Sequence, residues 1–425
     1  MSRLPGSREP ADGALRIDFV RPRLGIGGSE RFVVDAAREL QRLGHRVVVR
    51  APGVGGAPEF DEVTAGQVPR DASGSWLPVA VGGRLRTPCA ILRALRAGLR
   101  SARSRPDLVV CDVVAHVVPL VRRLAGAPVL FYCHYPDALL TAAGARDHPA
   151  YRLYRRPLDD AEAHGLSAAD LVLVNSHFTA AALARAFPGL ESGVQVVYPG
   201  VDVDTWASPR PPPAPDRLRL LSLARFDPRK GQGLAVEALA ALRTRLPPRR
   251  FERVHLTLAG HLEARWPEAR ALIDALEARA RDLGLRERVS FVTSPSQGEV
   301  RALIAGAFAV VSTAAAEHFG YVPLEAMAAG VPVVVADQGG PAETVLDGVT
   351  GRACPASAEA FASALAEMVM DPDRAARMGE AGRAHVRRRF SLARFASEFE
   401  TACRAVAGRR QDRRVSTLSG SVRCG

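Results

Sequence analysis

Two glutamates, eight positions apart, carry the clearest chemical signal in the sequence. Glu317 precedes a predicted helix and Glu325 lies inside it, in the segment EHFGYVPLE. A carboxylate accepts hydrogen bonds through both oxygens, so Glu325 can hold two sugar hydroxyls. Backbone N–H groups at the start of the helix can bind a phosphate, because the helix dipole places partial positive charge there. The residues expected to contact such a ligand between the two acids are Phe319, Gly320, Tyr321 and Val322.

Two cations, Arg225 and Lys230, follow a predicted strand directly in the loop SLARFDPRKGQG. Lys230 is the single lysine in a chain that contains 56 arginines. Arginine offers a planar fork of donors and lysine a compact, mobile point charge, and the two together suit a diphosphate. The retention of one lysine indicates a need for an ammonium group at position 230, although a pair of solvated surface cations is the alternative.

Gly27 and Gly28 lie in the turn LGIGGSE, between a predicted strand and a predicted helix. Adjacent glycines let the backbone approach a ligand closely at the positive end of a helix, although a tight turn alone also explains them. A dinucleotide-binding G-x-G-x-x-G sequence would need a glycine where Glu30 stands. The turn therefore favours phosphate contact and disfavours an NAD-dependent oxidoreductase.

A histidine ends a predicted buried strand in the segment FYCHYPD. Side chains at the carboxyl ends of parallel strands point toward the ligand crevice of a doubly wound sheet. His134 is thus a candidate functional residue, and a hydrogen-bonded core histidine is the structural alternative.

Short apolar runs alternate with helical patterns along the chain, which predicts parallel sheets covered on both faces. The runs are at residues 17–20, 47–49, 108–111, 129–132, 171–174 and 194–198, and again at 218–223, 254–258, 289–292, 309–312 and 333–336. A proline-rich stretch at 207–217 predicts an interdomain linker. We therefore expect an α/β protein with two doubly wound Rossmann-like domains, 1–206 and 218–380, which face each other across a ligand-binding cleft.

The net charge of +12 is concentrated near the C-terminus, where residues 374–425 hold 13 arginines and four acids. We predict a basic helix over 381–407 that crosses back to the first domain, followed by a disordered tail at 408–425. Such a surface attracts anionic partners. Nucleic acid is disfavoured, because aromatic residues make up only 6% of the chain and do not alternate with basic ones.

Membrane contact is predicted to be interfacial. No uncharged run reaches the roughly 20 residues that a spanning helix needs, and the N-terminus lacks a signal-peptide core. A helical pattern between residues 84 and 105 instead segregates leucines and isoleucine from arginines. Those arginines are Arg93, Arg96, Arg100 and Arg103. This is typical of a helix that lies flat on an anionic membrane, and a basic helix packed on the sheet is the alternative.

The four motifs, in this order, resemble those of the retaining glycosyltransferases of family four, and the resemblance covers residues 16–400. Within the family, FYCHYPDALLT, VNSHFTAA, VVYPGVD, RVHLTLAGH, EHFGYVPLEAM and GGPAET are similar to mannosyltransferases of dolichol-linked oligosaccharide assembly. The resemblance implies a GT-B fold and an enzyme that uses GDP-mannose. It further implies α-1,3 and then α-1,6 transfer of mannose to a dolichyl-diphosphate-linked chitobiose oligosaccharide, in protein N-glycosylation.

The resemblance also assigns roles on the donor side. Glu317 resembles the catalytic glutamate beside the donor sugar, and Glu325 resembles the one that holds the nucleoside ribose. Arg225 and Lys230 resemble the pair that neutralises the leaving diphosphate. These cations stand in for a metal, so no divalent metal and no cofactor are expected.

The remaining site residues are assigned in the same way. Gly27 and Gly28 resemble the turn that closes on the diphosphate. His134 resembles a catalytic histidine placed near the reacting sugar, and Tyr135 and Asp137 follow it on the acceptor side.

The expected partners are therefore GDP-mannose, the lipid-linked oligosaccharide and an anionic membrane surface. The expected location is peripheral, on the cytosolic face of the endoplasmic reticulum membrane, or at the cytoplasmic membrane in a bacterium. Two alternatives stay open from the sequence. One is a family-four enzyme with another acceptor, such as a phosphatidylinositol mannosyltransferase, and the other is a non-catalytic nucleotide-sugar-binding protein.

Overall fold

The computed structural model describes residues 13–53, 60–81, 85–140, 147–190, 193–207, 217–262 and 267–420. The chain forms two compact units, and the second comprises Val201–Leu392. The first unit contains the preceding residues and also those from Ala393 onward. Almost all of the expected linker at 207–217 lies outside the described residues.

The first unit is built on a seven-stranded parallel sheet in the order β3-β2-β1-β4-β5-β6-β7. Its strands are β1 (Arg16–Val20), β2 (Arg46–Arg50), β3 (Arg70–Asp71), β4 (Leu108–Asp112), β5 (Val129–Cys133), β6 (Leu171–Val174) and β7 (Val194–Val196). Its helices are α1 (Gly28–Arg42), α2 (Asp61–Thr64), α3 (Arg86–Ser104), α4 (Val118–Ala125), α5 (Pro149–Ala168) and α6 (His177–Ala186). Strands β4 and β5 are buried along their whole length, which is why they are almost continuously apolar in sequence.

The second unit repeats the design on a six-stranded parallel sheet, in the order β10-β9-β8-β11-β12-β13. Its strands are β8 (Leu218–Leu223), β9 (Val254–Gly260), β10 (Val289–Thr293), β11 (Ala309–Ser312), β12 (Val333–Ala336) and β13 (Gly351–Cys354). Its helices are α7 (Val203–Trp206), α8 (Gln232–Leu242), α9 (Pro248–Phe251), α10 (Pro267–Asp282), α11 (Gln297–Ala305), α12 (Tyr321–Ala328), α13 (Pro341–Thr344), α14 (Ala358–Met370) and α15 (Pro372–Arg389). The predicted α/β class, with two Rossmann-like parallel sheets, is confirmed.

The strand order reverses beside the first strand of each sheet. Strand β1 lies between β2 and β4, and β8 lies between β9 and β11. At such a switch point the loops after the two neighbouring strands diverge to opposite faces, which leaves room for a ligand at the carboxyl ends. The loops after β1 and β4, and those after β8 and β11, are therefore the positions where each unit can build a site.

The single basic helix predicted over 381–407 is wrong, because two helices share this stretch. Helix α15 ends at Arg389, and α16 (Leu392–Gly420) begins after a break. Val201 causes the break: its N–H donates to the Phe390 carbonyl (2.8 Å), and its carbonyl accepts from the N–H of Leu392 (3.1 Å). The same contacts explain why the first unit ends at Gly200 rather than at residue 206.

Helix α16 is anchored to the first unit by an aromatic cluster and a histidine. Phe395 and Phe399 contact the ring of Phe32 edge-on, with centroids 5.5 and 5.6 Å apart. His45 accepts from the backbone N–H of Leu15, which precedes β1, and pairs with Glu400 at 3.1 Å. The predicted disordered tail at 408–425 is corrected for residues 408–420, which continue α16, whereas residues 421–425 lie outside the described residues. No proline interrupts this arginine-rich segment, and its one internal glycine, Gly408, is tolerated.

The interfacial helix predicted around Arg93 is wrong at that residue. Arg93 is 1% exposed, and its guanidinium donates inward to backbone carbonyls. The acceptors at 2.8 Å are the carbonyls of Pro22, Pro52 and Gly53. Arg100 is tied to Asp71 at 3.0 Å. Arg93 and Arg100 therefore hold loops and a strand against α3. Sequence periodicity alone could not reveal these distant carbonyl and carboxylate partners.

Within the described ranges, no helix is long and apolar enough to cross a membrane.

The packing of α16 generates a stability prediction. Phe399 is fully buried in the first unit, so Phe399→Ala should lower the free energy of unfolding of that unit by about 3–5 kcal/mol. Urea denaturation measures the change. Thr401→Ala, on the exposed face of the same helix, is the control and should change it by less than about 0.5 kcal/mol. Equal effects of the two substitutions would show that α16 does not pack as described.

Candidate active site

An ion pair between Lys230 and Glu317 lies at the switch point of the second unit. Lys230 ends the loop after β8, and Glu317 lies in the loop after β11. The distance from Lys230 Nζ to Glu317 Oε2 is 2.6 Å, and each side chain is 23% exposed. The structure thus brings together two residues that lie far apart in the sequence.

Two hydrogen bonds and a glycine turn fix the position of Lys230. Asp227 accepts from the backbone N–H of Arg229 (3.0 Å) and so caps the 3-10 turn that contains Lys230. Gly231 then reverses the chain with φ +64. Thr313, just after β11, donates to the Gly231 carbonyl at 2.8 Å. The two loops are thereby joined, and a Cβ at Gly231 would lie only 3.1 Å from the Thr313 carbonyl oxygen.

The Glu317 loop rests on a pair of glycines after β12. Gly340 donates its N–H to the Glu317 carbonyl (2.8 Å). A Cβ at Gly339, where φ is +80, would lie 2.5 Å from that same oxygen, and a Cβ at Gly340 would lie 2.4 Å from the Phe319 Cα. Sequence reasoning did not include these glycines or Thr313 among the site residues. A glycine pair that begins three positions after the end of a buried strand was the signal that could have identified the support.

Helix α12 starts at the candidate phosphate-binding loop. Gly320 caps it with φ +88, and Tyr321 and Val322 supply backbone N–H groups in its first turn. Glu325 lies on the next turn and is half-buried. Phe319 departs from expectation: its side chain is 3% exposed and packs edge-to-face on Tyr321 at 5.2 Å. Its ring therefore supports the loop, because an aromatic side chain is stabilised by burial among apolar neighbours.

The electrostatic environment keeps Glu317 ionised. Burial favours the neutral carboxyl, but the charge of Lys230 and its hydrogen bond outweigh that effect. Smaller contributions come from His318 and from Arg225, which is exposed at the end of β8. The pKa of Glu317 is consequently held below its usual range. Glu317 can stabilise developing positive charge but is not a proton donor at neutral pH.

His134 occupies the corresponding edge of the first unit. Its Nε2 lies 3.2 Å from Asp112 Oδ2, at the end of β4, and its side chain is 16% exposed. Asp112 in turn faces the guanidinium of Arg21 at 3.4 Å. Sequence reasoning named the histidine but neither of these partners. An acid that ends the apolar run LVVCD was the available signal.

The glycine turn of the first unit is extended at Gly27, and Gly28 begins α1. Glu30, which breaks the dinucleotide pattern, is 7% exposed, and its Oε2 lies beside the turn, 2.6 Å from where a Cβ at Gly27 would be. Burial raises its pKa, but the charges of Arg21 and Arg23 outweigh this and lower it. The negative charge at the turn is therefore compensated by these two arginines.

The residues after His134 are held by α5. Glu162 accepts the backbone N–H groups of Asp137 (2.7 Å) and Ala138 (2.8 Å). Arg155 donates to the Asp137 carboxylate at 2.9 Å, so the predicted acceptor-side role of Asp137 competes with an internal ion pair. Tyr135 stacks on Phe178, with ring centroids 6.3 Å apart.

Comparison with known proteins assigns the class. The family model for Glycosyl transferases group 1 matches residues 204–385, and that for Glycosyltransferase Family 4 matches residues 26–205. Sucrose-phosphate synthase from Thermosynechococcus elongatus has a similar fold, with a TM-score of 0.73 and 20% identity over 92% of this chain and 98% of that one. HepE from Anabaena, solved in complex with UDP, has a TM-score of 0.70 and 21% identity over 91% of this chain and 99% of that one. Fold and family models together define a glycosyltransferase of GT-B type.

Curated relatives narrow the assignment. The chain is 33% identical over 416 residues to the alpha-1,3/1,6-mannosyltransferase ALG2 of Rhizomucor pusillus, with 91% of each chain covered. It is 36% identical over 393 residues to that of Homo sapiens, with 89% of this chain and 93% of the relative covered. The chain belongs to the ALG2 family of alpha-1,3/1,6-mannosyltransferases. The resemblance identified from the motifs is thereby confirmed.

The ion pair predicts a change in the pH dependence of activity. In Lys230→Met, burial dominates and raises the pKa of Glu317. The carboxylate is then lost at a higher pH, so the acid limb of the residual kcat–pH profile should move upward. Arg229→Met is the matched control, since Arg229 is 63% exposed and pairs with Asp227 instead. An acid limb that stays in place in Lys230→Met would contradict the role of the pair.

Proposed function

We propose that the protein transfers α-mannose from GDP-mannose to a dolichyl-diphosphate-linked chitobiose oligosaccharide, first in α-1,3 and then in α-1,6 linkage. Similarity to the ALG2 relatives over about nine-tenths of the chain is the observation that carries this proposal. The site supports it, because a diphosphate leaving group needs fixed positive charge and Lys230 and Arg225 lie on one short loop.

In this proposal, the donor-side residues stabilise the leaving diphosphate electrostatically. Departure of GDP leaves new negative charge on its diphosphate, which Lys230, Arg225 and the N–H groups at the start of α12 stabilise. The Gly27–Gly28 turn contributes further N–H groups at the start of α1. These groups serve in place of a divalent metal. Glu325, on the second turn of α12, accepts the ribose hydroxyls.

At the donor sugar, the reaction depends on the Glu317 carboxylate, which stays ionised throughout. Glu317 is ionised and held by Lys230, so it stabilises an oxocarbenium-like mannosyl centre as the bond to GDP breaks. The acceptor hydroxyl attacks from the face that the diphosphate leaves, and the departing phosphate takes its proton, which retains the α configuration. No covalent nucleophile is assigned. His134 contacts the reacting sugars from the first unit.

The acceptor is a lipid, and we propose peripheral attachment to the cytosolic face of the endoplasmic reticulum membrane, or to the cytoplasmic membrane if the cell is bacterial. Leu92 and Leu99 on α3 are 49% and 46% exposed. They lie seven positions apart, and exposed Arg103 follows on the same face. Exposed leucines beside a cation suit an anionic membrane surface.

Product analysis tests the reaction. Incubation with GDP-mannose and a monomannosyl chitobiosyl dolichyl diphosphate should give products heavier by one and then two hexoses, with α linkages shown by mannosidase digestion. Glu317→Ala is the inactive control. Phosphatidylinositol offered as the acceptor should give no product. Transfer to phosphatidylinositol alone would assign another acceptor class, and nucleotide binding without any transfer would indicate a binding protein.

The membrane surface is tested separately. Each inserted leucine contributes at most about 1.5–3 kcal/mol, so the double variant Leu92→Gln, Leu99→Gln should bind vesicles of phosphatidylserine and phosphatidylcholine at least tenfold more weakly. Leu346→Gln, at a leucine 43% exposed in the second unit, is the matched control. Unchanged flotation of the double variant would place the attachment elsewhere.

A further inference from the structure

Four charged or titratable side chains form a continuous series inside the first unit. Arg21 follows β1 and is 1% exposed. Its Nη2 lies 3.7 Å from Glu30 Oε1, and its Nη1 lies 3.4 Å from Asp112 Oδ2. Asp112, 3% exposed, lies 3.2 Å from His134 Nε2. The series therefore runs from Glu30 through Arg21 and Asp112 to His134, with the one arginine placed between the two acids.

The series joins the two segments of the first unit that are proposed to meet substrates. Arg21 Nη1 also donates to the carbonyl of Ser29 (3.1 Å), one residue after Gly28. His134 lies at the other end of the series. A single buried guanidinium thus fixes the backbone of the glycine turn and the carboxylate behind the histidine. An arginine is tolerated at this depth because its charge is compensated on both sides.

The ring of His134 is held in one orientation. The ring of Phe32 meets it edge-on at 5.2 Å, and that of Tyr132 lies at 5.0 Å. Asn175 donates to the His134 carbonyl (3.1 Å), which fixes the backbone beneath the ring. A carboxylate can only accept hydrogen bonds, so Nε2 of the imidazole must carry the proton shared with Asp112. In the neutral ring, Nδ1 is then an acceptor.

We propose that Asp112 is a positioning residue for His134, and that Arg21 holds Asp112 in place while it shapes the glycine turn. The carboxylate fixes the Nε2–H tautomer and aims the ring, so that Nδ1 accepts a hydrogen bond from a hydroxyl of the reacting sugars. The proposal rests on the proposed function of His134.

Asp112→Asn tests it, because the amide keeps the size of the side chain and removes its charge. We expect kcat to fall about tenfold to a hundredfold, with the KM for GDP-mannose unchanged.

A double-mutant cycle separates positioning from general structural support. If Asp112 acts through His134, then Asp112→Asn should slow the His134→Ala enzyme by less than about twofold. A full additive loss would overturn the proposal. The single variant His134→Ala distinguishes the two levels of inference. Wild-type activity there would refute the role of the histidine, whereas inactive His134→Ala beside normal Asp112→Asn would refute only the role of Asp112.

Asp18 provides the matched control. It is 4% exposed and likewise pairs with an arginine, Arg50, at 2.6 Å. Its other described partners are the hydroxyls of Ser101 and Ser104. Asp18→Asn should lower Tm without lowering the kcat of the folded enzyme. Should Asp112→Asn fail to fold, long-range ¹H–¹⁵N NMR of the histidine-labelled wild-type enzyme still decides the question, with the His134→Ala spectrum as the assignment. A proton on Nδ1 of neutral His134 would overturn the proposal.

Discussion

The ion pair of Lys230 with Glu317 is the interaction on which the candidate site of the second unit depends. Burial alone would drive the carboxyl toward its neutral form. The Lys230 ammonium, 2.6 Å away, keeps the carboxylate charged. The pair can form because β8 and β11 are adjacent at the switch point of the sheet. The topology thus decides which side chains meet, and the contact with Lys230 keeps Glu317 ionised.

Close backbone packing is the second constraint. The Glu317 loop lies on Gly339 and Gly340, and the loop of Lys230 turns at Gly231 against Thr313. Gly339 and Gly340 meet the neighbouring backbone too closely for a Cβ, and Gly231 has a positive φ that favours glycine. Loops after parallel strands are usually variable, but these are joined to one another by hydrogen bonds. The charges are therefore positioned by rigid backbone instead of by flexible side chains alone.

Charge compensation by buried arginine recurs throughout the first unit. Arg21 lies between two acids, Arg93 holds backbone carbonyls beneath α3, and Arg155 fixes the segment after His134. A guanidinium suits these positions because it presents five donors in a fixed plane and is weakly hydrated. The one lysine lies where a compact charge is needed at an ion pair. The extreme arginine content is therefore used structurally, and it is not only a basic surface.

The sequence by itself determined the α/β class, the two parallel sheets and the glycosyltransferase family. Apolar runs predict strands locally, and Glu317 and Lys230 lie in motifs that can be recognised in the sequence. Three predictions were wrong. Arg93 is buried, the predicted C-terminal helix is broken near Phe390 where Val201 pairs with it, and the final helix is longer than expected. Periodicity reports which face a residue occupies, but burial of a cation depends on carbonyls and acids many residues away. Only the tertiary structure placed Arg21 and Asp112 behind His134, because hydrogen bonds between neighbouring strands leave no local sequence pattern.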